Sequence, residues 1–392
     1  MISVEEAQAH LLALASPLSA IELPVAQAVG NYLAENVVAR RTQPAADLSA
    51  MDGYAVRLAD KPGPWAVIGE SAAGLPFTGK VEAGEAVRIF TGAHVPDGAD
   101  SILIQEEAGR DGDKLSLRGE GPPALGAHIR RKGTDFSQGD ILLQSGTRLS
   151  AGAIAAAAMA GYGTLSVGEG PKVAIIASGD ELLPMGEPCD DAHIPSSNSV
   201  MLAAMLDGLP CRVDDKGIVA DNLGDLEAAF RASVDSDIIV TSGGASVGEH
   251  DLVQQALRNV GANIDFWKVA VRPGKPVMAG RLGRTIVLGL PGNPSSAFVT
   301  ALLFLLPLVR HLAGSNLPLP EVHTAILARD LPAGGKRVDY FRAMLKNDII
   351  SMFNAQDSGM LSPLSKANAL LINPIAALPR AAGSKAQYLR ID

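Results

Sequence analysis

From Lys172 to about Gly314 short apolar runs alternate with amphipathic stretches: KVAIIAS, SNSVMLAAMLDGL, CRVDDKGIVA, LGDLEAAFRASV, DIIVTSG, DLVQQALRNVG, FWKVAVRPGKP, RTIVLGL and an apolar run from Ser295. Runs of four to eight apolar or β-branched residues closed by glycine or proline read as buried strands, and the longer stretches between them as helices. Their alternation predicts a parallel, doubly wound sheet with helices on both faces. From about residue 54 to 145 the texture differs. WAVIGES, EAVRIFTG, SILIQEEA and DKLSLRG are separated by glycine turns at the spacing of an all-β module. Residues 1–16 predict an amphipathic helix, 21–40 a strand followed by a second helix, and Ala151–Gly161 an alanine-rich helix before the strand GTLSV. Beyond the linker Leu317–Pro320, the runs VHTAILARDL, YFRAMLKN, NALLINP and AQYLRI predict a second small β module. The fold class is multidomain α/β plus β.

Composition narrows the function classes. The chain has 392 residues, 47% hydrophobic and 19% charged, with a net charge of −9; the length predicts about two to four domains. An acidic balance argues against bulk nucleic-acid binding, which needs a basic face. Cys189 and Cys211 fit neither a zinc pair nor a disulfide framework, which points to a reducing compartment. The N-terminus carries acids where a signal peptide carries basic residues. The longest apolar stretch, Ala297–Val309, is too short to span a membrane and contains Pro307. A soluble, cytoplasmic protein is expected, without membrane or nucleic-acid partner. Against the acidic background, Lys268, Arg272, Lys275, Arg281 and Arg284 lie between Phe266 and Thr285 with no intervening acid after Phe266, which suggests an anion pocket.

The strand ends carry the candidate chemistry. PGNPSS (Pro291, Gly292, Asn293, Pro294, Ser295, Ser296) opens a helix, with Pro294 suited to the first turn and the serines able to cap free N–H groups. Such a terminus attracts phosphate or an oxyanion, although an ordinary αβ connection has the same form. In SGGASVG, Ser242, Gly243, Gly244 and Ser246 would let backbone amides approach a phosphate, and Asp251 is placed to ligate Mg²⁺ or simply to sit in a helix first turn. Glu181 and Asp221 stand at two further strand ends. In RPGKP, prolines hold Arg272 and Lys275, a planar fork and a point charge, for a compact dianion. There is no Walker pattern and no nucleophile elbow.

The ordered motifs SAMDGYA (49–55), RIFTGAHVPDGAD (88–100), RRKGTD (130–135), SGDEL (178–182), TSGGASVGEHD (241–251), PGKP (273–276) and LPGNPSSAF (290–298) resemble those of the molybdenum insertases, the MoeA family, which includes the E domain of gephyrin. The resemblance covers essentially the whole chain. It implies a MogA-like α/β domain (III, residues 1–19 and 170–315), a linking domain (I, 20–47 and 138–169), an inserted β domain (II, 48–137) and a C-terminal β-barrel-like domain (IV, 318–392). It implies insertion of molybdenum from molybdate into adenylyl-molybdopterin with Mg²⁺-dependent release of AMP. It also implies a homodimer with a shared cleft, and transient contact with the adenylyltransferase and with cofactor-accepting proteins. Carried over residue by residue, Arg272, Lys275, Ser296, Arg342 and Ser358 would hold molybdate, with Lys268 among the catalytic cations. Glu181, Asp221 and Asp251 would face the adenylyl phosphate and metal, and Asp52, Thr91 and Asp135 would arrive from the partner subunit. Where some members have lysine this chain has Arg272. Two rivals share the fold: molybdopterin adenylyltransferase, which lacks the long flanking β regions, and a non-catalytic pterin carrier or scaffold.

Overall fold

Residues 1–243 and 252–391 are described by a computed structural model, the Phe266 side chain excepted. The central sheet has the strand order 212–219, 172–178, 238–242, 285–290, 276–282, 263–268. The first four strands are parallel to one another. Strand 276–282 runs antiparallel to both of its neighbours, 285–290 and 263–268, so the parallel expectation is corrected at that end. The cause is local: only Gly283 and Arg284 join Leu282 to Thr285, and Gly283 takes a φ of +62°. A connection that short permits only a hairpin.

Both sheet faces are covered, which is why these strands read as unbroken apolar runs. Val173 and Ile175 point to one face, where they pack with Leu11, Leu202, Val299 and Phe304. Ala174 and Ile176 point to the other, against Leu226, Phe230 and Val253. The apolar run Pro294–Leu312 is long and apolar enough to cross a membrane, but 83% of it is buried within this core. It is interrupted by a π-helical turn over Ala301–Leu305 just before Pro307. Proline has no N–H to give the carbonyl four residues back, that of Leu303. Gln8 Nε2 donates to that carbonyl at 2.9 Å. The donor comes from the N-terminal helix Val4–Ala13, which starts at a Ser3/Glu6 capping box.

Residues 20–39 depart from expectation. After the strand Ala20–Pro24 the chain makes one 3₁₀ turn (Val25–Gln27), Gly30 takes a φ of +83°, and Val37–Val38 pairs with Ile141–Leu143. The predicted second helix does not form. A left-handed glycine stops helix propagation, and Val25, Leu33, Val37 and Ala39 instead bury against Leu149, Ala153 and Ala157. The β region has six strands in the order 101–104, 53–56, 85–89, 65–71, 114–117, 108–111, with Trp65, Leu103 and Leu115 in one of its cores.

In the C-terminal module, strands 338–346, 349–352, 322–327, 385–390 and 369–373 pair in sequence, and 369–373 pairs back onto 338–346, closing a small barrel. The pair Val271–Arg272 adds to its rim in parallel, with Arg272 opposite Asp339. Ile2 extends the seam: it bridges to Val269, and Ala270 N–H donates to its carbonyl at 2.9 Å.

Candidate functional site

Parallel strands deliver their C-terminal ends to one edge of a sheet. The antiparallel strand Pro276–Leu282 begins at that same edge, so the PGKP segment meets the end of Thr285–Leu290. The result is a cleft of about 1350 Å³ lined by Glu181, Asp221, Ser242, Gly243, Arg272, Lys275, Pro291, Gly292, Asn293, Ser296 and Ser358. Gly244, Ser246 and Asp251 lie outside the described residues.

The acidic end is built on glycine. Gly179 takes a φ of +154°, and a Cβ there would lie 2.5 Å from a Glu181 carboxylate oxygen. Gly243 takes a φ of +98°, and a Cβ on it would approach the Ser178 carbonyl oxygen to 2.7 Å. Ser178 Oγ donates to Asp221 Oδ1 at 3.2 Å, and Asp221 N–H donates to Asp180 Oδ1 at 3.0 Å. Among the described residues no group of three or more His, Cys, Asp and Glu side chains could hold a metal ion.

The cationic end is held by the C-terminal barrel. Arg272 pairs with the buried Asp339. Burial pushes the Asp339 carboxyl above its ordinary range, and the Arg272 charge and hydrogen bond pull it back. Lys275 is exposed and has no carboxylate partner among the described residues. At the helix start Pro294 occupies the first turn, but the expected serine caps are absent. Ser295 instead donates through Oγ to Met360 O at 2.9 Å and through its N–H to Ser358 O at 3.0 Å, because the barrel loop lies across it. Asn293 Nδ2 donates to Ser358 Oγ at 3.1 Å.

The remaining expected groups lie elsewhere. Arg342 is fully buried beneath the 355–358 loop, where Nη2 donates to Asp357 O at 2.9 Å while Nε and Nη1 have no partner among the described residues. Lys268 is exposed and lies outside the cleft lining, its carbonyl accepting from Ile2 N–H at 3.1 Å. Arg281 donates to the Leu14 carbonyl, and Arg284 sits in the hairpin turn. Asp52, Thr91 and Asp135 belong to the 48–137 region and do not reach this cleft. Asp52 accepts from Thr91 N–H at 2.7 Å and Thr91 Oγ1 at 2.8 Å. These bonds, the backbone one first, hold its carboxyl below the ordinary range.

Sequence reasoning missed Asn198, whose Nδ2 donates to Ser242 Oγ at 2.8 Å and to Gly292 O at 2.7 Å, tying two strand-end loops together. The available signal was SSN ahead of an apolar helix. It also missed Arg337, which lines the cleft from the barrel.

Three family models match in order: "MoeA N-terminal region (domain I and II)" over residues 2–161, "Probable molybdopterin binding domain" over 174–311, and "MoeA C-terminal region (domain IV)" over 324–390. A Haemophilus influenzae protein named molybdopterin molybdenumtransferase is 35% identical over 347 residues, covering 87% of this chain and 85% of its own. Molybdopterin molybdenumtransferase 2 of Mycobacterium tuberculosis is 33% identical over 405 residues, 99% of each chain. A crystal structure of the molybdopterin biosynthesis MoeA protein from Pyrococcus horikoshii superposes with a TM-score of 0.85 at 26% identity, over 100% of both chains.

Proposed function

The chain belongs to the MoeA family of molybdopterin molybdenumtransferases, and on that footing we propose that this transferase takes adenylyl-molybdopterin and molybdate in its cleft, inserts molybdenum and releases AMP. The observation that carries the reading is the charge division of the cleft. Glu181 and Asp221 stand by strands 172–178 and 212–219, while Arg272 and Lys275 stand by strand 276–282. Three strand spacings separate 172–178 from 276–282, roughly 14 Å at about 4.8 Å each. A bare oxyanion needs only one end. A span of that size suits an extended substrate with a phosphate at the acidic end and its reacting group at the cationic end.

The chemistry follows from these groups. Lys275 and Arg272 offer fixed positive charge to a small dianion, with Ser296 and Ser358 supplying hydroxyls, so orientation and charge stabilisation replace covalent catalysis. Two carboxylates suit Mg²⁺, which takes one or two protein oxygens and completes its shell with substrate phosphate and water. Glu181 and Asp221, with Asp251 from outside the described residues, would hold it. Bound there, it would polarise the phosphoanhydride and offset charge on departing AMP. We assign the protein to the cytoplasm as a homodimer, in which Asp52, Thr91 and Asp135 come to the cleft from the partner subunit.

The test is AMP release from adenylyl-molybdopterin, followed chromatographically with and without molybdate and Mg²⁺. Release should need molybdate, and Lys275→Gln should slow it by about 10- to 1000-fold while leaving the circular dichroism spectrum intact. A folded wild-type protein that binds the pterin and releases no AMP would indicate a carrier.

A further inference from the structure

The cleft does not end at Lys275. A second concavity of about 490 Å³ adjoins it, lined by Arg272, Lys275, Lys336 and Arg337 with Asp339. Arg272, Lys275 and Arg337 line both spaces, so the two adjoin. Four basic side chains face one carboxylate, with Met1 also on the wall, and Asp339 is already engaged by Arg272. Lys275, Lys336 and Arg337 have no carboxylate within 4 Å among the described residues, in a chain whose net charge is −9.

Their placement is built in. Val338 N–H donates to Ala270 O at 2.8 Å, and Asp339 lies in register with Arg272. Arg337 sits in the bend immediately before strand 338–346, close enough to Asp339 that its charge lowers the Asp339 carboxyl pKa. The preceding loop is clamped. A Cβ on Gly334 would lie 2.0 Å from Pro374 O, Gly334 N–H donates to Ala377 O at 2.8 Å, and Ala376 N–H donates to Gly335 O at 3.0 Å. A freely solvated turn has no need of such anchoring.

We propose that Lys336 and Arg337 form a second anion subsite, adjoining the cleft, that holds a doubly charged tetrahedral oxyanion. The oxyanion comes either as a phosphate ester carried by the organic substrate or as the free metal oxyanion on its way inward. The substrate's identity rests on the function proposed above, whereas the subsite itself stands on this geometry alone.

The experiment uses the full-length protein, a Lys336→Gln/Arg337→Gln variant, and a Lys114→Gln/Lys61→Gln variant, on and beside the distant β sheet, as a charge-matched control. Inorganic phosphate and molybdate are titrated separately by calorimetry at two ionic strengths, and KM and kcat are measured for each substrate. The Lys336→Gln/Arg337→Gln variant should weaken oxyanion binding about three- to tenfold, the effect shrinking as salt rises, with Lys114→Gln/Lys61→Gln unchanged. An Arg337→Lys variant should recover most of the loss, which separates lost charge from lost folding. A raised KM for the pterin nucleotide alone identifies the ester phosphate as occupant; a raised KM for molybdate alone identifies the free oxyanion. Unchanged probe affinity and unchanged KM values in the folded Lys336→Gln/Arg337→Gln variant overturn the proposal. If the wild type releases no AMP, the proposed reaction fails, and the phosphate titration still decides the subsite.

Discussion

Replacing Arg272 should cost more stability than replacing its partner. Asp339 has a side chain only 4% exposed, whereas the Arg272 side chain is 55% exposed. In Arg272→Gln the carboxylate stays buried without its main counter-ion. A fully buried charge in that position costs about 3–5 kcal/mol. The nearby Arg337 charge and the open side of the pair reduce this to about 1–3 kcal/mol. Asp339→Asn removes the buried charge and leaves a hydrated guanidinium, for a loss under about 1 kcal/mol. The double variant should resemble Asp339→Asn, giving a favourable coupling of about 1–3 kcal/mol, the cost of Arg272→Gln itself. The pH dependence follows from the raised Asp339 carboxyl, which burial pushes up and Arg272 restrains. A group whose pKa rises on folding contributes stability below its unfolded value and loses it as pH climbs through the folded value. Removing Arg272 raises that value further, so the deficit should be largest near about pH 8 and shrink toward about pH 5. Urea midpoints for the four proteins, followed by tryptophan emission at both pH values, make the comparison. Trp267 reports from strand 263–268, next to the seam that carries Arg272. The chain has several separate cores, so the transition reporting Trp267 is the one compared. Equal deficits at the two pH values, or a costlier Asp339→Asn, would refute the reasoning.

The remaining predictions concern packing and reactivity. Gly280→Ala places a Cβ 2.2 Å from Asn263 O and 2.8 Å from Ile264 Cα across the pairing with strand 263–268. It should cost on the order of 3 kcal/mol and lower soluble yield, and a thermal midpoint equal to wild type would contradict this. The Cys211 thiol is pushed up to about 11 by burial and then by the Asp207 charge, while Cys189 is exposed. Iodoacetamide at about pH 8 should therefore label Cys189 alone in the native protein, read by mass spectrometry; equal labelling of both would show that Cys211 is accessible.

Much of the α/β architecture was legible because its strands are buried on both faces. Ile238–Ser242 is buried at every position, so DIIVTS stands out as one apolar run. Strand direction was less visible, since an apolar run has no arrow, and the cue for the antiparallel end was the brevity of Gly283–Arg284 rather than any hydrophobic pattern. The false helix in 21–40 has a similar origin: VAQAVGNYLAENVV satisfies a helical spacing, and only the φ of +83° at Gly30 defeats it. At the site, alternation alone places strand ends on one edge, so Glu181, Asp221, Gly243 and Pro291 could be grouped before any coordinates. Which cations face the cleft could not be read that way. Arg281 is turned to Leu14, and the partner that holds Arg272 lies in a different module. Asn198 escaped notice because an amide acquires its role only from the carbonyl and hydroxyl it happens to reach.

The bond from Gln8 to the Leu303 carbonyl spans 295 residues of sequence. At a synthesis rate of about 5–20 residues per second, the first helix leaves the ribosome roughly 15–60 s before its docking surface exists. Ten residues are too few for a stable isolated helix in water. Val4, Ala7 and Leu11 therefore wait uncovered while the intervening β regions are made. This helix is sheltered only once Pro294–Leu312 is made, and the interval before that is when a chaperone or a protease would meet it.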